Sequence, residues 1–419
     1  MDSPLNSPLR SHARRFLGLA IVLGVLAASG CGPDQSEESS IEPIPSSRDI
    51  SNPELGPPQV RPLSYGPGEK DSPSWGPSGE RIAFVIDGYI AGKSLSSQDF
   101  QRRTTRDLSA ERVSWASGEE VAILGDGVTS ETARGSSENE THSLYVTRNE
   151  ESQLKIERLS EDALALSSDS GEAPLAAALE SAAYESTISL VKPGEDELSV
   201  YPETIPGRVD EISVSPDDQR ALASVLVPSS GGGERFEIHA FDLTSGESER
   251  LTRLPEGTEI LGAPQQTTNG VYYVGGERDD NEDGESEEET RYNLYHLPEG
   301  ASEPEQASGV GRDFETSAIK VSPEGQRLAL LGRRDPGSST NLYILDLAEG
   351  SLGSATVNEN MDIRTGADSM DFSNDGESVA IVARSDISGP RVYGGSADTL
   401  LANFYNIYEV PVNDLGEQI

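Results

Sequence analysis

One hydrophobic and polar pattern returns seven times along the chain. A turn of small or polar residues precedes an apolar run rich in Ala, Val, Ile and Leu. It reads Gly-Pro-Ser-Gly-Glu-Arg-Ile-Ala-Phe-Val at 76–85 and Ser-Pro-Asp-Asp-Gln-Arg-Ala-Leu-Ala-Ser-Val-Leu at 215–226. It returns as Ser-Pro-Glu-Gly-Gln-Arg-Leu-Ala-Leu-Leu at 322–331 and Ser-Asn-Asp-Gly-Glu-Ser-Val-Ala-Ile-Val at 373–382, with three looser copies. The turns fall near Gly79, Gly118, Gly171, Asp218, Gly270, Gly325 and Gly376, 39 to 55 residues apart. Such a period marks a repeat architecture.

Each unit has room for four short strands. Two flank the turn, as Ile212–Val214 and Ala221–Leu226. A more aromatic third follows, as at Phe236–Phe241, Tyr292–Leu297, Leu342–Leu347 and Phe404–Val410. A short polar fourth comes after a Gly-containing turn, as at Ser248–Thr252. Short strands separated by turn signals predict an all-β chain. Four strands per repeat of this length make the blade of a β-propeller, seven-bladed, or six-bladed if unit one or three is an insertion. Unit three (Leu164–Val200) is Ala-rich and competes with a helix at Ala173–Ala183, but Pro174 and Thr187–Val191 favour strands. Unit one shows no clear third strand in Gln98–Leu108. Unit seven runs out before its fourth strand, and Gln59–Ser64 has the pattern of one. The N-terminal strand is therefore predicted to complete the last blade, because an open ring leaves sheet edges unpaired.

The first residues read differently. Arg10, Arg14 and Arg15 precede the apolar run Phe16–Ala28, and Ala28-Ser29-Gly30 precede Cys31, the one cysteine. That is a secretory signal, too short for a membrane span. The segment resembles a bacterial lipoprotein signal, with Ala28 where Leu is usual. The resemblance implies that residues 1–30 are removed and that the Cys31 thiol carries a lipid. Acyl chains contribute about 0.8 kcal/mol per buried CH2 at a membrane surface. Residues 31–58 form an acidic Ser/Pro-rich tether without aromatic residues, and 59–419 form the propeller. Gly32, where lipoproteins retained in the inner membrane carry Asp, points towards the outer membrane of the cell envelope.

The phrase Ser-Pro-Ser-Trp-Gly-Pro-Ser-Gly-Glu-Arg-Ile-Ala-Phe-Val at 72–85 resembles the repeat of TolB-type propellers. Leu342-Tyr343-Ile344-Leu345-Asp346-Leu347 and Arg250-Leu251-Thr252 match its later parts. The resemblance implies the fold over 59–419 and little about function, since one scaffold serves many roles. Where TolB carries an α/β domain before its propeller, this sequence offers a tether. Trp75 and Trp115 are expected to pack between blades.

The net charge is -41, which sets nucleic acid aside as a partner. The loop Asp279–Glu287 places Asp279, Asn281 and Asp283 at alternate positions, then Gly284, Glu285 and Glu287. Oxygen ligands at that spacing suit Ca2+, with Glu285 giving its backbone carbonyl, against the plainer reading of a solvated acidic loop. Catalytic constellations are thin. His142, His239 and His296 are scattered over three units, no Gly-x-Ser-x-Gly elbow occurs, and Gly231-Gly232-Gly233 is a loop tip without a following Lys-Ser or Lys-Thr. The expected function is a lipid-anchored envelope scaffold that binds a protein or glycan and is not an enzyme. The alternative is a hydrolase or lyase with its site in the central channel. The calcium reading predicts saturable Ca2+ heat in a calorimetric titration, lost in Asp279→Ala/Asp283→Ala. No heat from the wild type at millimolar Ca2+ would overturn it.

Overall fold

The computed structural model describes residues 60–64, 68–96, 100–102, 109–117, 120–126, 142–150, 153–167, 175–182, 184–191, 197–277, 290–307, 310–311, 314–335, 338–356, 361–385 and 405–412. These are almost wholly strand. A two-residue strand β1 (Arg61–Pro62) comes first. Unit one follows as β2 (Lys70–Trp75), β3 (Arg81–Ile86), β4 (Tyr89–Ser94) and β5 (Phe100–Arg102). Units two and three hold β6 (Ser109–Ser117), β7 (Glu120–Asp126), β8 (His142–Glu150), β9 (Gln153–Leu166), β10 (Leu175–Ala182), β11 (Glu185–Val191) and β12 (Ser199–Pro206). Unit four is β13 (Arg208–Val214), β14 (Arg220–Pro228), β15 (Glu234–Asp242) and β16 (Ser248–Arg253). Unit five is β17 (Thr258–Thr267), β18 (Gly270–Glu277), β19 (Arg291–Pro298) and β20 (Glu305–Gln306). Unit six is β21 (Glu315–Val321), β22 (Arg327–Arg333), β23 (Asn341–Asp346) and β24 (Ser351–Ser354). Unit seven is β25 (Met361–Ile363), β26 (Met370–Phe372), β27 (Ser378–Ser385) and β28 (Asn406–Pro411).

Neighbours in every sheet are antiparallel. Units one, four, five and six each form a four-stranded sheet in chain order. Units two and three share a seven-stranded sheet, because the long β9 pairs with β8 along most of its length and with β10 at its end. Six sheets thus carry the seven repeats. Counting seven blades rather than six rests on dividing that sheet near Ala163. The Ala-rich stretch of unit three is strand, as its Pro and β-branched residues predict.

The last sheet is closed by the first strand. Arg61 pairs with Glu409 and Pro62 with Tyr408. Beyond them, Leu63 N–H donates to the Ile407 carbonyl at 2.8 Å, and Ile407 N–H donates to Ser64 Oγ at 2.8 Å. The strand expected at Gln59–Ser64 is therefore present, shortened by Pro62, which has no N–H to continue the ladder.

The recurring turn has one geometry in four units. The N–H of Gly79, Asp218, Gly325 and Gly376 donates back to the carbonyl of Gly76, Ser215, Ser322 and Ser373 respectively, at 2.8 to 2.9 Å. Where the first residue is Ser, its hydroxyl accepts the N–H five residues on, from Arg220, Arg327 or Ser378. The motif's small polar residues thus satisfy the turn's own backbone.

Unit one corrects an expectation. Its third strand lies earlier than Gln98–Leu108, at β4, immediately after Asp87-Gly88. Ile86 pairs with Tyr89, so the loop is two residues long. Both loop residues take positive φ, 49° and 78°, the type I′ turn that matches strand twist.

The core lies between sheets. Trp75 packs with Ala380, Val382 and Ile407 of unit seven, and Trp115 with Ala83 and Val85 of unit one. Both tryptophans are buried between blades as expected. Asp218 holds φ 58° where the equivalent turns have glycine. Asp218→Gly is expected to raise thermal stability by about 1 kcal/mol or less, since relief of the left-handed backbone outweighs the added chain entropy. A melting curve shifted downward would contradict this.

Candidate functional site

The innermost strands touch one another in a circuit. Trp75 N–H on β2 donates to Asp371 Oδ2 on β26 at 2.8 Å. Val113 N–H on β6 donates to Ser72 Oγ at 3.0 Å, and the Trp115 indole N–H to the Ser74 carbonyl at 2.9 Å. Arg112 Nη1 donates to the Leu166 carbonyl at the end of β9 at 2.9 Å. Leu164 and Ala165 of β9 pack with Val209 and Ile212 of β13. Ser213 Oγ donates to the Pro264 carbonyl of β17, and Val321 N–H on β21 to Gln265 Oε1 at 3.2 Å. Lys320 Nζ, 3.4 Å from Asp371 Oδ1, joins β21 to β26 and completes the circuit.

A charged network occupies the middle of this circuit. Arg112 makes a bidentate pair with Glu211, both contacts at 2.8 Å, and its Nη2 also reaches Asp368 Oδ2 at 2.7 Å. These partners belong to units four and seven, while Arg112 itself belongs to unit two. A side chain that touches both must cross the ring's interior. Alongside, Arg364 Nη1 lies 3.1 Å from Asp71 Oδ2 and ties unit seven to unit one. Ser72, next to Asp71, has φ 48° although Pro73 follows, and its N–H donates to Asp71 Oδ1 at 2.9 Å. That strained residue turns β2 locally and aims Asp71 at Arg364.

Four carboxylates, Asp71, Asp210, Glu211 and Asp368, share the field of three guanidiniums here, Arg112, Arg208 and Arg364. Burial raises the Glu211 carboxyl; Arg112 opposes the shift, and Asp368 and Asp210 add to it. Burial likewise raises Asp71 against Arg364, and raises Asp210 against Arg208 and Arg112. For Arg112 burial disfavours the charge, yet Asp368 and Glu211 outweigh it and hold the guanidinium above its ordinary value. Asp371 is fully buried and raised by burial, with Lys320 opposing. Carboxyl groups lifted this way can hold or pass a proton nearer neutrality, which is the raw material of general acid–base chemistry.

None of these residues was singled out from the sequence as a site, although a signal was there. The residue five places before the turn's first residue is acidic in units one, two, four and seven: Asp71, Glu111, Asp210 and Asp368. The next position holds Arg112 and Glu211. Cys31 and the loop carrying Asp279, Asn281, Asp283, Glu285 and Glu287 lie outside the described residues. His142, His239 and His296 sit in the third strands of units two, four and five, as expected. His296 stacks on Tyr272 at 4.4 Å. Among the described residues no three His, Cys, Asp or Glu side chains converge as metal ligands would.

No protein-family model and no curated protein sequence matches the chain. Solved structures do. Tricorn protease is 14% identical with a TM-score of 0.51, covering 85% of this chain and 34% of its own. Oligogalacturonate lyase in complex with manganese is 11% identical with a TM-score of 0.51, covering 86% and 97%. The chain is a β-propeller. A structure described as TolB from Agrobacterium tumefaciens also matches, 13% identical over 83% of this chain and 92% of its own, with a TM-score of 0.42. The propeller spans about a third of tricorn protease, so that enzyme's further segments have no counterpart in the match. At these identities the likeness shows the fold alone.

These matches correct one expectation. The repeat pattern was read as that of a protein that is not an enzyme. The same fold, at this likeness, occurs in a lyase and a protease. A turn-building repeat therefore does not exclude catalysis, because the turn residues say nothing of what the ring's interior carries.

The raised Asp71 gives a signed prediction. Its folded value lies above 3.8, so it disfavours the fold most at neutral pH and least below that value. Asp71→Asn keeps an acceptor for Ser72 N–H and removes the charge. Its stability relative to wild type is expected to rise as pH climbs from about 3.8 to neutrality, read from melting temperatures. A relative stability that falls with pH would show that the Arg364 pair dominates instead.

Proposed function

We propose that this propeller is a lipid-anchored binding scaffold of the bacterial cell envelope, held by Cys31 and presenting its ring to a protein or glycan. The observation that carries the reading is the closure of the ring by β1. The polar segment 32–58 leads directly into Arg61–Pro62, which is locked to β28. In this reading the segment that carries the lipid joins the chain of the propeller just before its closing strand. The acyl chains on Cys31 supply the anchorage in this reading, at about 0.8 kcal/mol per buried CH2. The acidity supports a hydrated envelope surface and argues against nucleic acid as the partner.

A second reading draws on the raised carboxyls at the ring's centre. Asp71 beside Arg364, with Asp210 and Glu211 beside Arg112, would serve a lyase or hydrolase acting in the channel. Turnover of a glycan or peptide that falls in Asp210→Asn favours this reading, and turnover unchanged in that variant places the chemistry elsewhere.

The anchor is tested by metabolic labelling with a fatty acid. Label is expected on the wild type and absent from Cys31→Ala, which should move from the membrane to the soluble fraction. Crosslinking from intact envelopes with a tagged chain retaining Cys31 should then recover one reproducible partner. Equal labelling of both forms, or no partner from intact envelopes, would count against the scaffold.

A further inference from the structure

Unit four concentrates positive charge where the rest of the chain is acidic. Asp and Glu outnumber Lys and Arg by 73 to 32. Yet Arg235, Arg250 and Arg253 all stand around a single oxygen, Glu237 Oε1. Strand register causes the gathering. Arg235, Glu237 and His239 alternate on one face of β15, and on β16 Arg253 lies opposite Glu237 and Arg250 opposite His239. A bulge between Ile238 and His239 brings both arginines to this face, although an even spacing would not. Glu234 and Glu249 occupy the alternate positions, on the opposite face.

The cluster is only partly neutralised. Arg253 Nε donates to Glu237 Oε1 at 2.8 Å. Arg235 and Arg250 remain 3.6 Å from that oxygen, beyond a hydrogen bond. The Arg250 and Arg253 side chains are each 48% exposed, whereas Glu237 is buried. His239 is 5% exposed; its Nε2 lies 3.2 Å from Glu237 Oε2, and its Nδ1 has no hydrogen-bond partner among the described residues. Arg235 Nε is also buried without one. Facing β12 contributes Glu203, which accepts from Ser248 Oγ at 2.6 Å. Three guanidiniums against two carboxylates leave the site cationic.

We propose that Arg235, Arg250 and Arg253 form an oxyanion site on the β15–β16 face of unit four, taking a phosphate or sulfate group. Glu237 is its organiser. A buried carboxylate that engages one arginine by Nε leaves that fork's outer donors turned to solvent, beside the forks of the other two. A tetrahedral oxyanion has enough oxygens to bridge them, and guanidinium forks are the side chains best suited to that geometry. The site owes nothing to the scaffold reading and stands or falls separately from it.

The test is calorimetric titration of the full chain with sodium phosphate and with sodium sulfate. Ionic strength is held with sodium chloride, which serves as the control. Saturable binding by the wild type, weakened at least about tenfold in Arg250→Gln/Arg253→Gln, is expected. Should that variant lose its fold by circular dichroism, Arg250→Gln alone provides the comparison, and weaker binding is again expected. Saturation by phosphate alone narrows the ligand to a phosphate group, and saturation by both confirms the broader class. No saturable heat from the wild type, or equal affinity in the folded variant, would overturn the proposal.

Discussion

Arg112 is the constraint on which the ring's interior depends. Its guanidinium touches the Leu166 carbonyl, Glu211 and Asp368, so one side chain of unit two is fastened to units three, four and seven. A ring of sheets is otherwise held by contacts between neighbours, each blade answering only to the next. A tie across the middle couples blades that are not neighbours in the ring. Its cost is the removal of a cation from water and the partial removal of two carboxylates, and the network offsets that cost only with all members present. Asp371 plays a smaller part of the same kind, accepting from Trp75 of unit one while facing Lys320 of unit six.

The periphery follows different physics. Turns are self-satisfied by Ser hydroxyls and backbone N–H groups, and the seams between sheets are apolar. Trp75 and Trp115 fill two of those seams with large rigid surfaces. The last seam is closed by the pairing of β1 with β28, which unites the two ends of the ring. Closure and axis therefore depend on different forces, ladder hydrogen bonds in one case and charge pairing in the other.

Much of the fold was legible in the sequence because turn chemistry is local. The recurring phrase, as in Ser-Pro-Glu-Gly at 322–325 and Ser-Asn-Asp-Gly at 373–376, states its own geometry, and the pattern of Gln59–Ser64 points to the closing strand. Unit three's strands could be told from a helix by Pro174 and the β-branched run that follows. Unit one offers no clear third strand in Gln98–Leu108 because that strand lies earlier, after Asp87-Gly88, a two-residue turn that is as local a signal as any. The central network was far less visible. Arg112 and Asp368 are distant in the chain, and only ring closure brings them together. In a chain with 73 acidic residues, no single carboxylate stands out. What distinguishes Asp71, Glu111, Asp210 and Asp368 is their shared offset from the turn, a sequence signal that emerges only when the repeats are aligned on their turns.

The most direct measurement is the unfolding free energy of Arg112→Met beside that of Arg112→Met/Glu211→Gln/Asp368→Asn. If Arg112 ties the ring, the single change leaves two part-buried carboxylates, 22% and 32% exposed, without their cation and should cost about 1–3 kcal/mol, while the triple change recovers most of that loss. A single variant within about 0.5 kcal/mol of wild type, or a triple variant no better than the single, would contradict the account.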